Sequence, residues 1–144
     1  MLWGLADQPV LTLLPLADVQ LRDELGELPS NAIVTEYVPH SLVLEQASIV
    51  VSHAGHGIVS KALYFGVSMV LCPWDLDQPG VDTRAKALGV AKVVRRANVS
   101  LETVRQAVTT VLNNPKYRKT ASLVSARSKT TDAVDVACRL LESF

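Results

Sequence analysis

Short apolar runs alternate along the chain with stretches in which apolar residues recur at helical spacing. The runs are rich in β-branched residues and apolar nearly throughout, which is typical of strands whose two faces are both covered in a parallel sheet. We therefore predict strands at Val10–Leu14, Ala32–Thr35, Ile49–Ser52, Ser68–Cys72 and Ala91–Val94. Helices are predicted between them at Ser41–Gln46, Gly57–Phe65 and Val81–Leu88.

The last third of the chain is predicted to be helical. Ser100 is a candidate N-cap for a helix that carries Val104 and Val108 on one side, and Asn114-Pro115 ends this helix. One longer helix is predicted to follow, with an apolar stripe and a basic first half that we interpret as solvated surface. The stripe consists of Val134, Ala137, Cys138 and Leu141, and the basic residues are Lys116, Arg118, Lys119, Arg127 and Lys129.

This order of elements predicts one α/β domain over residues 1–144: a Rossmann-like, doubly wound parallel sheet followed by C-terminal helices. A complete nucleotide-binding sheet of this kind opens with a strand and a glycine-rich turn. Nothing strand-like precedes Val10–Leu14, so we expect the first strand of the sheet to be missing.

Composition narrows the class of protein. Apolar residues make up 49% and charged residues 19% of the 144 residues, which predicts an ordered globular domain. The 14 basic and 14 acidic residues balance, which argues against a partner that is a nucleic acid or a membrane surface. The N-terminal segment has no basic region before its apolar residues, and no apolar run is long enough to span a bilayer. We expect a soluble, cytoplasmic protein.

The cysteines and histidines predict neither a disulfide nor a metal site. Cys72 and Cys138 lie far apart without a partner spacing, which fits a reducing compartment. The three histidines and two cysteines form no cluster with the spacing of metal ligands.

The segment Val50–Gly57 is a predicted strand that runs into two glycines and then a helix. Such a turn presents free N–H groups and the positive end of a helix dipole at the carboxyl edge of a sheet, where anions bind. Gly55 and Gly57 allow close approach of a ligand, and His53 can donate to a phosphate. The spacing alone leaves phosphate binding and an ordinary turn equally open. Gly66 is the predicted C-cap of the helix.

Four elements in order then resemble the donor-binding signature of GT1-type glycosyltransferases, most of all the bacterial enzymes that glycosylate natural products. They are Tyr37-Val38-Pro39-His40, His53-Ala54-Gly55-His56-Gly57, Gly66-Val67-Ser68 and Pro73-Trp74-Asp75-Leu76-Asp77-Gln78. The resemblance implies the C-terminal, donor-binding half of a GT-B fold. The G-x-G-x-x-G sequence of dehydrogenase domains is absent, since Ser60 occupies its last position.

The resemblance also implies a role for each matching residue. Tyr37 would stack on the nucleobase and the backbone at Val38 would bond its edge; packing at the sheet edge is the alternative for Tyr37. His53, Gly55, Gly57 and Ile58 would hold the diphosphate. Trp74, Asp77 and Gln78 would form the sugar site. An ordinary helix-entry turn is the alternative for Asp77 and Gln78, and a packing role is the alternative for Trp74. His40 and His56 are assigned only as polar turn residues near the cleft.

Two positions depart from the family pattern. Lys61 stands where many members carry a glutamate that accepts hydrogen bonds from the ribose, and a lysine ammonium cannot accept them. Phosphate contact and simple solvation are both open for Lys61. Ser68 replaces a proline, which changes only the rigidity of that turn.

Enzymes that the chain resembles invert the anomeric centre without a metal or other cofactor. We expect the donor to be a UDP-, dTDP- or GDP-sugar and the acceptor a hydroxyl of a small molecule. No catalytic residue is assigned, because the general base of this family belongs to an N-terminal acceptor domain that these residues do not contain; the chain alone is expected to be inactive.

Three origins of such a chain stay open. It can be a piece of a longer transferase, the donor subunit of a naturally split transferase that needs a separate acceptor subunit, or an interaction module that kept the fold without its ligand. An orphaned domain face and an uncovered sheet edge would also favour self-association.

Overall fold

Five short parallel strands alternate with helices in the part of the chain that the computed structural model describes, residues 2–131 and 133–143 apart from the side chains of Val19, Ala133 and Val134. The strands are β1 (Thr12–Pro15), β2 (Ala32–Thr35), β3 (Ile49–Ser52), β4 (Ser68–Leu71) and β5 (Ala91–Val93). The helices are α1 (Val19–Glu24), α2 (His40–Leu44), α3 (His56–Phe65), α4 (Gln78–Ala87), α5 (Leu101–Asn113), α6 (Pro115–Thr130) and α7 (Ala133–Glu142). Leu2–Leu5 and Arg96–Asn98 form short 3-10 helices.

The strand pairing confirms the predicted parallel α/β architecture. In the described residues β1 pairs with β2, and β3, β4 and β5 form a second sheet in that order, each pair parallel. The strands therefore form two sheets where we predicted one. Backbone hydrogen bonds do not join β1 to β3 because a cavity separates their facing edges.

The central strand β4 is buried along its whole length and carries core residues on both faces. Met69 and Leu71 belong to the apolar cluster shared with α3, α4 and α6. Val70, which points to the opposite face, belongs to the cluster with α5. Burial on both faces explains why this strand is an unbroken apolar run in the sequence.

Several helix ends form as the sequence predicts. Gly66 adopts a left-handed conformation with φ of 73° at the end of α3, as a C-cap glycine does. Ser100 caps α5 by accepting the N–H of Thr103, whose side chain in turn accepts the N–H of Ser100. Asn114 ends α5 and caps α6, which begins at Pro115.

The prediction of a single long C-terminal helix was wrong, because α6 ends at Thr130 and a separate α7 begins at Ala133. The hydroxyls of Thr130 and Thr131 both donate to the carbonyl of Arg127, and Thr131 is extended, with φ of −100° and ψ of 112°. Such side-chain bonds compete with helix continuation. The side chain of Val134, part of the predicted stripe, lies outside the described residues. None of the described helices is long and apolar enough to cross a membrane.

Candidate functional site

The two stretches predicted to bind a ligand lie at the same edge of the three-stranded sheet. Strands β3 and β4 are parallel with Ser52 opposite Leu71, so the residues that follow both strands emerge at one carboxyl edge. His53 and Trp74 line one cavity there, of about 470 Å³. Val99, from the loop before α5, and Leu101, from the start of α5, also line this cavity. Carboxyl edges of parallel sheets are where such folds bind ligands.

Free backbone donors stand at the start of α3. Gly55 is the N-cap and no side chain caps it, while the first helical hydrogen bond runs from the Val59 N–H to the Gly55 carbonyl. The N–H groups of His56, Gly57 and Ile58 precede that bond, so α3 leaves them for a ligand. A helix N-terminus also carries partial positive charge. Together these features favour an anion.

The turn ahead of α3 holds His53 in place through close packing. A Cβ atom added to Gly55 would lie 2.6 Å from His53 Nε2, so the imidazole rests directly over this glycine. Ala54 is fully buried at a positive φ of 70°, which is uncommon for alanine, and the Ser52 hydroxyl accepts its N–H at 3.2 Å. Strained backbone of this kind persists where the surroundings fix it, and often at functional sites.

The loop from Pro73 to Gln78 is organised by the Gln78 side chain. Its Oε1 atom accepts the N–H of Trp74 at 2.6 Å and the N–H of Asp75 at 3.1 Å. This oxygen is therefore used inside the loop, and the side-chain amide N–H₂ is the part of Gln78 that is left for a sugar hydroxyl. Asp77 is exposed at the start of α4, and its carboxylate has no hydrogen bond or ion pair within the described residues.

Arg96, which the sequence analysis missed, lies over the exposed ring of Trp74. Its Cζ atom is 4.4 Å from the ring centroid, a cation–π contact. The neighbouring Arg95 donates to the buried carboxylate of Asp82 at 2.6 Å, which ties the loop after β5 to α4. The one signal in the sequence was a pair of arginines directly after a predicted strand, at the same sheet edge as His53 and Trp74.

Tyr37 and Val38 follow β2, in the other sheet. Tyr37 is 77% exposed, so it does not pack against the sheet edge. It does not line the cavity that His53 and Trp74 share. Its carbonyl accepts the Thr35 hydroxyl at 3.2 Å.

The remaining predicted positions are exposed residues of α2 and α3. His40 begins α2, His56 begins α3 and contacts the Ser60 hydroxyl through Nδ1 at 3.5 Å, and Lys61 lies in the middle of α3. None of the three is buried. Their roles stay as predicted from the sequence.

Cys72 lines the same cavity with an uncharged side chain. It is half-buried beside His53 and Trp74, and burial raises the pKa of its thiol. The thiol is consequently neutral at pH 7 and contributes apolar surface rather than charge. No group of three or more histidine, cysteine or acidic side chains within residues 2–131 and 133–143 is arranged to hold a metal ion.

Comparison with known proteins places these features in a family. Residues 7–141 match the model of the erythromycin biosynthesis protein CIII-like C-terminal domain. Among curated proteins, the chain is 36% identical to the uncharacterized UDP-glucosyltransferase YdhE of Bacillus subtilis (strain 168) over 65% of its length and 24% of the relative's. It is 28% identical to the oleandomycin glycosyltransferase of Streptomyces antibioticus, over 83% of the chain and 28% of that enzyme.

Solved structures agree with this placement. The glycotransferase of kitacinnamycin superposes with a TM-score of 0.73 at 33% identity, covering 82% of the chain and 31% of the other. The glycosyltransferase VinC, solved in complex with DTDP, shares the fold with a TM-score of 0.87 at 22% identity, over 99% of the chain and 37% of VinC. The chain spans about a quarter of the length of the curated relatives it matches. With a family model matched over nearly all of its residues, the chain belongs to the erythromycin biosynthesis protein CIII-like C-terminal domains, a family of glycosyltransferase C-terminal domains.

Proposed function

We propose that this domain binds the nucleoside-diphosphate sugar of an inverting, metal-independent glycosyltransferase that acts on the hydroxyl of a small molecule. The observation that carries the proposal is the set of uncapped N–H groups at His56–Ile58, beside the His53 imidazole and at the same sheet edge as Trp74. Such donors complement a diphosphate, and a sugar attached to it would extend toward the Pro73–Gln78 loop.

In the proposed reaction the acceptor hydroxyl attacks the anomeric carbon while the bond to the diphosphate breaks. Negative charge builds on the leaving diphosphate, where the His53 imidazole and the first N–H groups of α3 would stabilise it. Asp77 and the N–H₂ of Gln78 would orient the sugar hydroxyls, since one accepts and the other donates. Trp74, whose ring contacts the Arg96 guanidinium, would form one wall of the sugar pocket.

The proposal leaves the general base outside these 144 residues. His40 and His56 are the exposed first residues of α2 and α3, and within residues 2–131 and 133–143 no hydrogen bond orients either of them toward an acceptor; the contact of His56 is with Ser60 in its own helix. Half of a cleft covers only part of a ligand, whereas a complete pocket covers most of it. The domain is therefore expected to bind its donor weakly and to need an acceptor domain or subunit for transfer.

The donor base is proposed from the relatives. VinC was solved with DTDP and several curated relatives are named UDP-glucosyltransferases, so dTDP- and UDP-sugars are the first candidates, with GDP-sugars third. Tyr37 would stack on the base. Lys61 is exposed on α3 where a ribose-binding glutamate is common, so ribose contact would come from other groups or be lost.

Titration calorimetry on the 144-residue chain tests the proposal. We expect heat of binding with at least one of UDP, dTDP and GDP, and none with the corresponding nucleosides, because the diphosphate supplies the main contact. The nucleosides are the matched control for stacking on an exposed ring. The absence of a heat of binding with all three diphosphates would contradict the proposal. It would favour an interaction module that kept the fold without its ligand.

A further inference from the structure

The exposed ring of Trp74 is covered by a cation from another loop. Trp74 is 56% exposed between β4 and α4, and the Arg96 Cζ atom lies 4.4 Å from its ring centroid. Packing alone does not orient a ring with this much exposed surface, whereas a guanidinium stacked over it restricts the angles that the ring can adopt. The orientation of Trp74 therefore depends on Arg96.

The backbone that carries Arg96 is held at two points. Arg95 Nη1 donates to the fully buried carboxylate of Asp82 in α4 at 2.6 Å. The Arg95 carbonyl accepts the Asn98 N–H at 2.8 Å, which closes the short 3-10 helix that begins at Arg96. Arg96 consequently projects from a fixed position, so its contact constrains the Trp74 ring as well as the arginine.

Arg96 lies on the ring although two carboxylates belong to the same loop as Trp74. Within residues 2–131 and 133–143 neither Asp75 nor Asp77 forms an ion pair with it. The Asp75 Oδ1 atom accepts the Leu76 N–H at 2.8 Å instead. The guanidinium is thus used on the ring, and the Asp77 carboxylate is left available for sugar hydroxyls.

Trp74 connects Arg96 to the ligand cavity. Trp74 lines the cavity of about 470 Å³ together with His53, whereas Arg96 does not line it. An effect of Arg96 on a ligand in this cavity would consequently pass through the ring. The face of an indole packs on apolar C–H groups such as those of a sugar ring, and a ring that is already ordered loses less conformational entropy on binding.

We propose that Arg96 is a positioning residue for the donor sugar. It holds the Trp74 ring in the orientation that contacts the sugar, and the pair of Arg95 with Asp82 holds Arg96 in turn. The inference rests on the proposed function, because it takes a donor sugar to be the ligand beside Trp74. It deepens that function by assigning Arg96 to the sugar and not to the diphosphate.

Spectra of the free chain test the contact with the ring. Two-dimensional ¹H–¹⁵N spectra contain one indole N–H signal each from Trp3 and Trp74. We expect Arg96→Ala to shift the Trp74 signal and to leave that of Trp3, in the N-terminal 3-10 helix, in place. Arg118→Ala, at an exposed position of α6, is the matched control for the loss of an arginine and should shift neither signal.

Calorimetry then separates the sugar from the diphosphate. Affinities for UDP, UDP-glucose, dTDP and dTDP-glucose are measured with the parent chain and with Arg96→Ala. For the sugar nucleotide that the parent binds better, we expect the variant to lose about two- to fivefold in affinity, the range for one exposed cation–π contact. Affinity for the matching diphosphate should not change. A general loss of folding would weaken both ligands equally and leave their ratio as it was.

The anchor is tested by combining two variants. Arg95→Ala should weaken the sugar nucleotide in the same direction as Arg96→Ala, because it frees the backbone that carries Arg96. The double variant should lose no more than Arg96→Ala alone, since both changes act on one contact. Arg118→Ala should bind the sugar nucleotide and the diphosphate as the parent does.

Four results would overturn the inference. An unshifted Trp74 signal in Arg96→Ala would remove the contact with the ring. Equal losses for the sugar nucleotide and the diphosphate would assign the guanidinium to the diphosphate or to folding, and fully additive losses in the double variant would separate Arg95 from Arg96. Failure of the parent to bind any of the four ligands would overturn the proposed function and the sugar role together.

Discussion

Replacing His53 by alanine should weaken the binding of the preferred nucleoside diphosphate by about 10- to 100-fold, the range expected when a hydrogen bond to a charged group is lost. His53 is exposed at the carboxyl edge of β3, beside the uncapped N–H groups of α3. Calorimetric titration of the His53→Ala variant measures the change. His56→Ala is the matched control, because His56 is an exposed histidine three residues away whose contact is with Ser60 of its own helix.

The packing of His53 on Gly55 gives a second way to remove the same contact. Gly55→Ala places a methyl group 2.6 Å from the present position of Nε2, so the imidazole must move while its chemistry is retained. Gly80→Ala, where an added Cβ meets nothing within 4 Å, controls for the change of residue type. Loss of affinity in both His53→Ala and Gly55→Ala, with Gly80→Ala unaffected, supports a positioned imidazole. Full affinity in His53→Ala would remove His53 from the phosphate site.

Replacing Asp82 by alanine should lower the free energy of unfolding by about 2 kcal/mol. The Asp82 side chain is fully buried, and it accepts a hydrogen bond from Arg95 at 2.6 Å and another from the Thr83 hydroxyl at 3.0 Å. Breaking a fully buried ion pair costs about 3–5 kcal/mol. The Arg95 side chain is 54% exposed and can be rehydrated, so the expected loss is smaller.

Urea unfolding of Asp82→Ala and of Asp23→Ala makes the comparison direct. Asp23 is an exposed residue of α1, so its replacement should change the midpoint little. Asp82→Ala should also free the loop that carries Arg96, and the fluorescence of Trp74 should then change in the folded protein. Equal stability of the two variants would show that the pair with Arg95 does not anchor this loop.

Local patterns predicted most of the elements because each strand and helix is encoded by its own residues. Apolar runs located all five described strands to within two residues, and Ser100, Asn114 and Gly66 marked helix ends by the hydrogen bonds or φ values that they favour. The turn from His53 to Gly57 was also predictable, since a strand, two glycines and a helix are contiguous in the sequence.

Features that depend on distant residues, or on side-chain hydrogen bonds that apolar periodicity does not report, were not predictable. The contact of Arg96 with Trp74 and the pair of Arg95 with Asp82 join loops that the sequence separates. The end of α6 depends on a competition between side-chain and backbone hydrogen bonds at Thr130 and Thr131, which apolar periodicity does not report. The division into two sheets depends on what lies between β1 and β3, and the residue pattern of neither strand predicts this division.

The position of the diphosphate can be read from backbone amide resonances of the uniformly ¹⁵N-labelled chain during titration with UDP or dTDP. Binding at the start of α3 predicts the largest shifts at the N–H groups of His56, Gly57 and Ile58, with smaller ones in the Trp74–Gln78 loop and none along α6. Saturable binding that leaves the three α3 amides unshifted would contradict the assignment of this turn as the phosphate site.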